Sequence, residues 1–303
     1  SGGSAFNYKW GSLFRNTKNE DRIRNDAGGY SIRNSTLSGT YILRSNVMLG
    51  ASTDAFTGFV NSTSQHTATL TSFSTNAHAK TSIGKNSHNS NWYLDGSIAE
   101  MIIHATAVNT TQRIIIDNYL GAKYGLTITN DKYSFQASHD NEVAGIGQES
   151  STDNHTTAKG PGAVTITGAD DLDDGEYLIW GHDAGAFASQ STELPVSMTG
   201  GVRLTREWVA DETGGDLGTV DITFDMTGLT LGANPAGYRI ITDPDGNFSN
   251  GSENSGITPS VVGNDISFSN VDLSSEPYFT IAHTSDVDEC ISFSSDDWDN
   301  GTP

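Results

Sequence analysis

Cysteine occurs once, at Cys290, in a chain of 303 residues, so no intramolecular disulfide can staple this protein. That scarcity is compatible with an exported chain that relies on packing, and cysteine usage alone does not fix a compartment. Basic residues are scarce as well: 16 Lys and Arg stand against 37 Asp and Glu, a formal net charge of -21. Nucleic acids and anionic membrane surfaces are held through Lys and Arg clusters, so the balance argues against both as the main partner and makes cations the natural ligands. No apolar run approaches the length of a membrane-spanning helix, and SGGSAFNYKW lacks the regions of a signal peptide. The expectation is therefore a mature piece of something longer, with no membrane insertion.

The chemistry-bearing motifs that are missing exclude much else. There is no HExxH zinc pattern, no Gly-x-Ser-x-Gly elbow and no P-loop, and the eight histidines show no compact ligand spacing. They read as surface or strand residues. Cys290 follows two acidic residues, which raise a thiol's pKa, and no activating base is identifiable beside it.

What is present is 35% hydrophobic residues, 33 Gly and a sharp charge asymmetry. Residues 1–159 hold 13 basic and 12 acidic residues, a balance of +1; residues 160–303 hold 3 and 25, a balance of -22. Length and asymmetry together predict two domains with different surfaces. The acidic half reads either as a solubilising surface or as a cation-binding one. Period-two patterning dominates both halves, broken about every 8 to 12 residues by Gly, Asn, Asp or Ser, as in all-β sandwiches and barrels. TVDITFDM is the clearest strand, with Val220, Ile222, Phe224 and Met226 on one face. GAVTITG, EYLIWGH, VRLTREWVA, GYRIITD, NDISFSN and PYFTIAHT follow it, as do GGYSIRN, TYILRSNVMLG, AFTGFVNS, TATLTSF, TSIGK and DGSIAEMIIHA in the first half. One stretch departs from the pattern: NTTQRIIIDNYLGAKYG reads as a short helix with Asn109 or Thr110 as N-cap and Gly125 as its stop. Its packing residues are expected to be Ile115, Tyr119, Leu120 and Tyr124. The polar, turn-rich LTITNDKYSFQASHDNEVAGIG comes next and puts a boundary near residue 129.

Three sets of residues are candidates for binding. Hard cations want carboxylate and carbonyl oxygens on tight loops, and TDPDGNFSNGSEN sets Asp243, Asp245 and Asn247 at alternating positions with Gly246 between them. This is not an EF-hand, since Gly246 falls at loop position four and Asn254 stands at position twelve. A plain acidic turn is the alternative, and ADDLDDGE is a weaker calcium candidate. Aromatic rings stack on sugars; Trp180 and Trp208 lie inside strand patterns and read as core, whereas Trp92 and Tyr93 follow the polar KNSHNSN and are the ligand-binding candidates.

WYLDGSIAEMIIHATAVNTTQRIIIDNYLGAKYGLTI, Trp92 to Ile128, resembles the C-terminal end of LamG-like, concanavalin A-type jelly rolls in large surface proteins of Bacteroidetes and other marine bacteria. The resemblance rests on Gly96, Ile98, Ala99 and Glu100, then Tyr119, Leu120, Lys123, Tyr124 and Gly125. NEVAGIGQE, GEYLIWGHD, VRLTREWVADETG, GTVDITFDM and GYRIITDPDGNFS are similar to the β-sandwich that follows this jelly roll in such proteins. Glycoside hydrolases share the concanavalin-like fold, but their Glu-x-Asp-x-x-Glu strand is absent; Asp95 and Glu100, five apart on an expected strand, face opposite sides. A jelly roll of this kind takes roughly 180 to 200 residues, so the one here is expected to be truncated and completed by preceding residues or another chain.

The expected architecture is all-β: two consecutive β-sandwich domains, the first a truncated jelly roll (1–129) with one short helix, the second an acidic sandwich (130–285). Residues 286–303 are a linker or the start of a further module. The resemblance implies a non-catalytic cell-surface or secreted adhesin, outside the cell, with type IX export as the route it points to. Its partners would be a glycan or surface protein and neighbouring domains, with calcium as cofactor. A purely structural stalk is the alternative, and an accessory region of a carbohydrate-active enzyme a more distant one.

Overall fold

A computed structural model describes residues 41–49, 56–68, 83–84, 93–94, 96–160, 162–254 and 256–284, together with the strand backbone at 10–15, 18–24 and 30–36. Cys290 and the segment 286–303 lie outside the described residues. Among the described residues the chain is all-β with one α-helix, and it divides into two compact units, Ser1–Asp131 and Lys132–Pro303.

Among the described residues the first unit holds two antiparallel three-stranded meanders. One is built from β1 (Trp10–Arg15), β2 (Lys18–Arg24) and β3 (Tyr30–Thr36), the other from β4 (Arg44–Met48), β5 (Phe56–Val60) and β6 (Thr63–Ala68). The β5–β6 hairpin turns on Asn61 and Ser62, both at positive φ (48° and 67°), the mirror-image turn that matches strand twist. Asn61 pays for its left-handed backbone with contacts: its amide donates to Leu43 O and its Oδ1 accepts from Leu43 N.

Helix α1 (Thr110–Tyr124) begins at a capping box, where Asn109 Oδ1 accepts from Gln112 N and Gln112 Oε1 accepts from Asn109 N. It ends at Gly125, whose φ of 61° needs no Cβ. Its buried face keeps Ile115 of the expected packing residues and otherwise differs. Ile114 and Ile115 are buried together with Thr111, Arg113, Asp117, Asn118, Gly121 and Ala122, while Tyr119 and Leu120 are half-buried and Tyr124 is exposed. The face is polar because Arg113 and Asp117 form a buried ion pair. Arg113 Nη1 also donates to Ser62 Oγ, its guanidinium lies 4.0 Å from the Phe59 ring centroid, and Asp117 accepts from Ser45 Oγ at 3.1 Å.

DGSIAEMIIHA does not form the expected strand. Residues 96–104 join no ladder, and Ile98, Met101, Ile102 and Ile103 are exposed. Met101, Ile102 and Ile103 are consecutive, and since successive residues of a strand face opposite sides, such a run defines no single face to bury.

The second unit is a sandwich of two sheets. β9 (Thr157–Lys159), β10 (Val164–Thr167), β15 (Thr219–Asp225), β18 (Ser260–Val262) and β19 (Asp265–Asp272) form one, in the order β18-β19-β15-β10-β9. The other contains β7 (Asn141–Ser150), β8 (Asp153–His155), β11 (Tyr177–His182), β12 (Ser189–Gln190), β13 (Val202–Leu204), β14 (Trp208–Thr213), β16 (Tyr238–Asp243), β17 (Ser252–Glu253) and β20 (Tyr278–His283). Its backbone order is β12-β13-β20-β14-β11-β7-β8, with β16 on the opposite edge of β20 and β17 beyond β16. The inner faces meet in one core, Ile146, Leu178, Trp180 and Trp208 from the larger sheet against Ile222, Phe224 and Phe268 from the smaller. Trp208 sets its ring edge to Phe224 at 5.6 Å and stacks on Phe279 at 6.1 Å, so both central tryptophans are core, as their strand positions predict.

VRLTREWVA is one predicted strand and two observed ones. Val202 and Arg203 pair with His283 and Ala282, Trp208 and Val209 with Phe279 and Tyr278, and the chain bulges between them at Thr205–Arg206–Glu207. β7 is the longest strand among the described residues; Asn141–Gly147 fall in the stretch read as polar and turn-rich, and they belong to the NEVAGIGQE segment that the resemblance assigns to the second β-sandwich. Its Gly147 has a physical reason: a Cβ there would sit 2.3 Å from the Tyr177 ring.

Candidate functional site

Of the aromatic candidates, Trp92 lies outside the described residues and Tyr93 is 65% exposed. The neighbouring Leu94 N donates to Gly84 O at 2.8 Å. Asp95 also lies outside the described residues. Glu100 is fixed to α1: its carboxylate accepts from Lys123 Nζ (2.9 Å), Tyr124 Oη (2.9 Å) and Tyr119 Oη (3.3 Å). The Lys123 hydrogen bond, with those of the two tyrosines, holds the Glu100 carboxyl below the usual carboxylate range. The residues that carry the family resemblance at Glu100, Tyr119, Lys123 and Tyr124 are thus one polar clasp between the 96–104 segment and the helix.

Asp243, Asp245 and Asn247 lie together in the turn that leaves β16. Asp243 is fully buried, and its Oδ1 gathers three backbone amides, those of Asp245 (2.8 Å), Gly246 (2.5 Å) and Asn247 (2.9 Å). Asp245 Oδ1 accepts from Asn247 N at 3.0 Å, and Asn247 Oδ1 from Ser249 N at 3.3 Å. Gly246, at φ 87°, lies against the Tyr278 ring, where a Cβ would approach Cδ1 to 3.2 Å. The turn therefore folds on its own donors, with one oxygen of each side chain engaged. Asp243 Oδ2 is buried and has no hydrogen-bond partner among the described residues. No group of three or more His, Cys, Asp or Glu is placed to hold a metal among the described residues.

The second acidic run serves the backbone in several places. Asp170 accepts from Thr219 N and Oγ1, Glu176 from Asp173 N, and Asp174 from Gln148 Nε2. Nearby, burial, followed by the charge of Asp216, pushes Glu212 up to about 7.

Sequence reasoning missed two ionic clusters, the first because a bulge turns its near neighbours Arg203 and Glu207 together and the second because Glu142 and His182 are far apart in the chain. In the first, the fully buried Arg203 donates to Glu193 and, at 2.7 Å, to Glu207; it also donates to Thr192 O and Leu204 O, and its guanidinium lies 5.0 Å from the Phe248 ring centroid. Burial raises the Glu207 carboxyl against the attraction of Arg203. In the second, His182 Nε2 lies 2.9 Å from Glu142 Oε2, and Arg206 Nη1 reaches the same oxygen at 3.5 Å. His182 Nδ1 accepts from Ala184 N at 2.9 Å. Glu142 and Ala184, flanking this histidine, both hold positive φ (51° and 64°), which costs a non-glycine residue energy that surrounding contacts must supply. The bulge at Thr205–Glu207 is what brings Arg206 and Glu207 to these clusters, a feature that alternation alone does not encode.

Fold and site thus define an antiparallel β-sandwich module whose buried charges fasten its loops. A family model described as a domain of unknown function (DUF8202) matches residues 112–276, more than half of the 303 residues, and the chain belongs to that family. Neither the curated proteins nor the solved structures return a match.

Proposed function

We propose that this chain is a non-catalytic recognition module of a large secreted or cell-surface protein of the Bacteroidetes type. In this reading the first unit, the end of a LamG-like jelly roll, contacts a glycan or a surface protein, and the second is a support stiffened by calcium at the Asp243 turn. One observation carries it. Tyr93 and the stretch Ile98, Met101, Ile102 and Ile103 expose large apolar side chains, Ile103 by 71%, on a backbone that Glu100 clasps to α1. Apolar surface held in place in this way is what a contact face requires. The absence of any helix long and apolar enough to cross a membrane, among the described residues, is compatible with this reading.

A structural stalk is the second reading, favoured by the number of buried charges spent on fastening loops in the second unit. Binding to a glycan array, with calcium and with chelator, separates the two. Recognition requires binding that Tyr93→Ala weakens at least about tenfold, as loss of a central aromatic contact does. A native chain that binds nothing in either condition overturns recognition and leaves the stalk.

A further inference from the structure

We propose that His182 is an acid-sensitive latch: a proton taken up at Nδ1 removes the acceptor that holds the Ala184 amide and frees the backbone at Ala184, in the turn that follows β11. The geometry fixes the starting state. An ionised carboxylate only accepts, so the contact of Nε2 with Glu142 places the ring proton on Nε2 and leaves the Nδ1 lone pair for Ala184 N, 2.9 Å away. Protonation at Nδ1 turns that contact into two donors facing each other. The side chain is 4% exposed, so it has no room to turn its ring towards water. Ala184, at φ 64°, is held in a left-handed conformation that relaxes once its amide is freed.

The residues on either side of Ala184 keep their own ties, which confine the opening to that turn. Asp183 N donates to Glu207 O, and Asp183 Oδ1 accepts from Glu207 N and Gly185 N; Arg206 Nε donates to Gly185 O, Phe187 packs against the core with the Arg206 guanidinium 5.6 Å from its ring centroid, and Thr205 N donates to Ala188 O. The charged and titratable groups that face the ring are Glu142 from β7, Arg206 from the bulge, Asp183 beside it, and His139, which itself adjoins Asp140 in the segment before β7. Glu142 and Asp183 favour an imidazolium, whereas burial, Arg206 and His139 oppose it; burial is the largest influence, and the ring's pKa lies below the usual histidine value. The closed loop consequently keeps its full advantage above about pH 6.5, where a freed histidine is neutral, and loses it as the pH falls below that value.

The test is amide exchange by NMR on the whole chain from pH 7.5 to 4.5, with protection corrected for the intrinsic rate. Protection at Ala184 should fall by up to about tenfold per pH unit below about 6.5, while Ile222, in the buried strand β15, keeps its protection. His182→Asn sets an amide oxygen where Nδ1 was and should make Ala184 protection independent of pH. A parallel fall at Ala184 and Ile222, an unchanged Ala184, or ring nitrogen shifts that place the proton on Nδ1 at pH 7.5 would each overturn the latch. Should His182→Asn fail to fold, the measurements on the native chain decide alone.

Discussion

Replacing Arg203 by Ala tests whether the buried charges of the second unit act as fasteners. Arg203 is fully buried, Glu207 is mostly so, and Glu193 is half exposed, so the pair that matters energetically is Arg203–Glu207. Removing one partner of a buried pair costs about 3–5 kcal/mol, because the other charge is left in a poor solvent. For a domain of this size that lowers Tm by roughly 6–20 °C. The pH dependence separates this cause from simple loss of packing against Phe248. Burial already raises the Glu207 carboxyl, and without Arg203 it rises further, so the folded variant holds a proton that the unfolded chain releases. Stability tied to that proton is present at low pH and lost as pH rises through the raised value. The deficit of Arg203→Ala should therefore be largest near pH 7.5 and shrink towards pH 5, and adding Glu207→Gln should recover much of it. Urea melts of the native chain and the single and double variants measure this. A deficit under about 1 kcal/mol, or one that is the same at both pH values and unaffected by Glu207→Gln, refutes the reasoning.

Ile114 is buried and Leu120 only half-buried, so Ile114→Ala should cost about 2–5 kcal/mol in chemical denaturation and Leu120→Ala distinctly less; the reverse order would restore the helix face expected from sequence. Glu212, raised by burial to about 7, favours folding while protonated and loses that contribution as pH rises through 7, so Glu212→Gln should match the native melting temperature at pH 5 and exceed it at pH 8. Equal melting temperatures at both would show the carboxylate to be solvated. Calcium at about ten times Kd should add roughly 1.4 kcal/mol to the native chain and nothing to Asp245→Ala; an equal gain in both places the ion elsewhere, with the Asp170–Glu176 run as the next candidate.

Alternation made the second sandwich legible, because inner residues such as Val220, Ile222 and Phe224 and their wet neighbours Asp221 and Thr223 obey one period. Caps made the helix legible, since Asn109, Gln112 and Gly125 are chemically specific at those spacings. Its buried face was not, because a fully buried Arg113–Asp117 pair looks like a solvated i, i+4 pair in sequence, and only the Ser45, Ser62 and Phe59 contacts reverse that reading. In β7 the resemblance pointed to NEVAGIGQE where alternation did not, because Gly147 leaves its side-chain place to the cross-strand Tyr177 ring. At the candidate site, the spacing of Asp243, Asp245 and Asn247 located a turn, and the burial of Asp243 with its three amide donors is information that only folding supplies.

The limits of the family match do not coincide with a folding unit. Residues 112–276 begin inside α1 and omit Asn109, which caps it, as well as β4, β5 and Glu100, whose contacts fix its packed and exposed faces. At the other end they stop at Glu276, which accepts from Ser252 Oγ and Thr242 Oγ1, and leave out β20. β20 is the strand that β13, β14 and β16 all pair with, and its Phe279 and Ile281 lie in the core. Without it the larger sheet separates into β12–β13, β16–β17 and β14–β11–β7–β8, each with a newly bared edge, and Trp208 loses the ring it stacks on. The stretch that identifies the family is thus held in shape by residues on both sides of it: a capping box and a Glu100 clasp before, and the strand joining three others after.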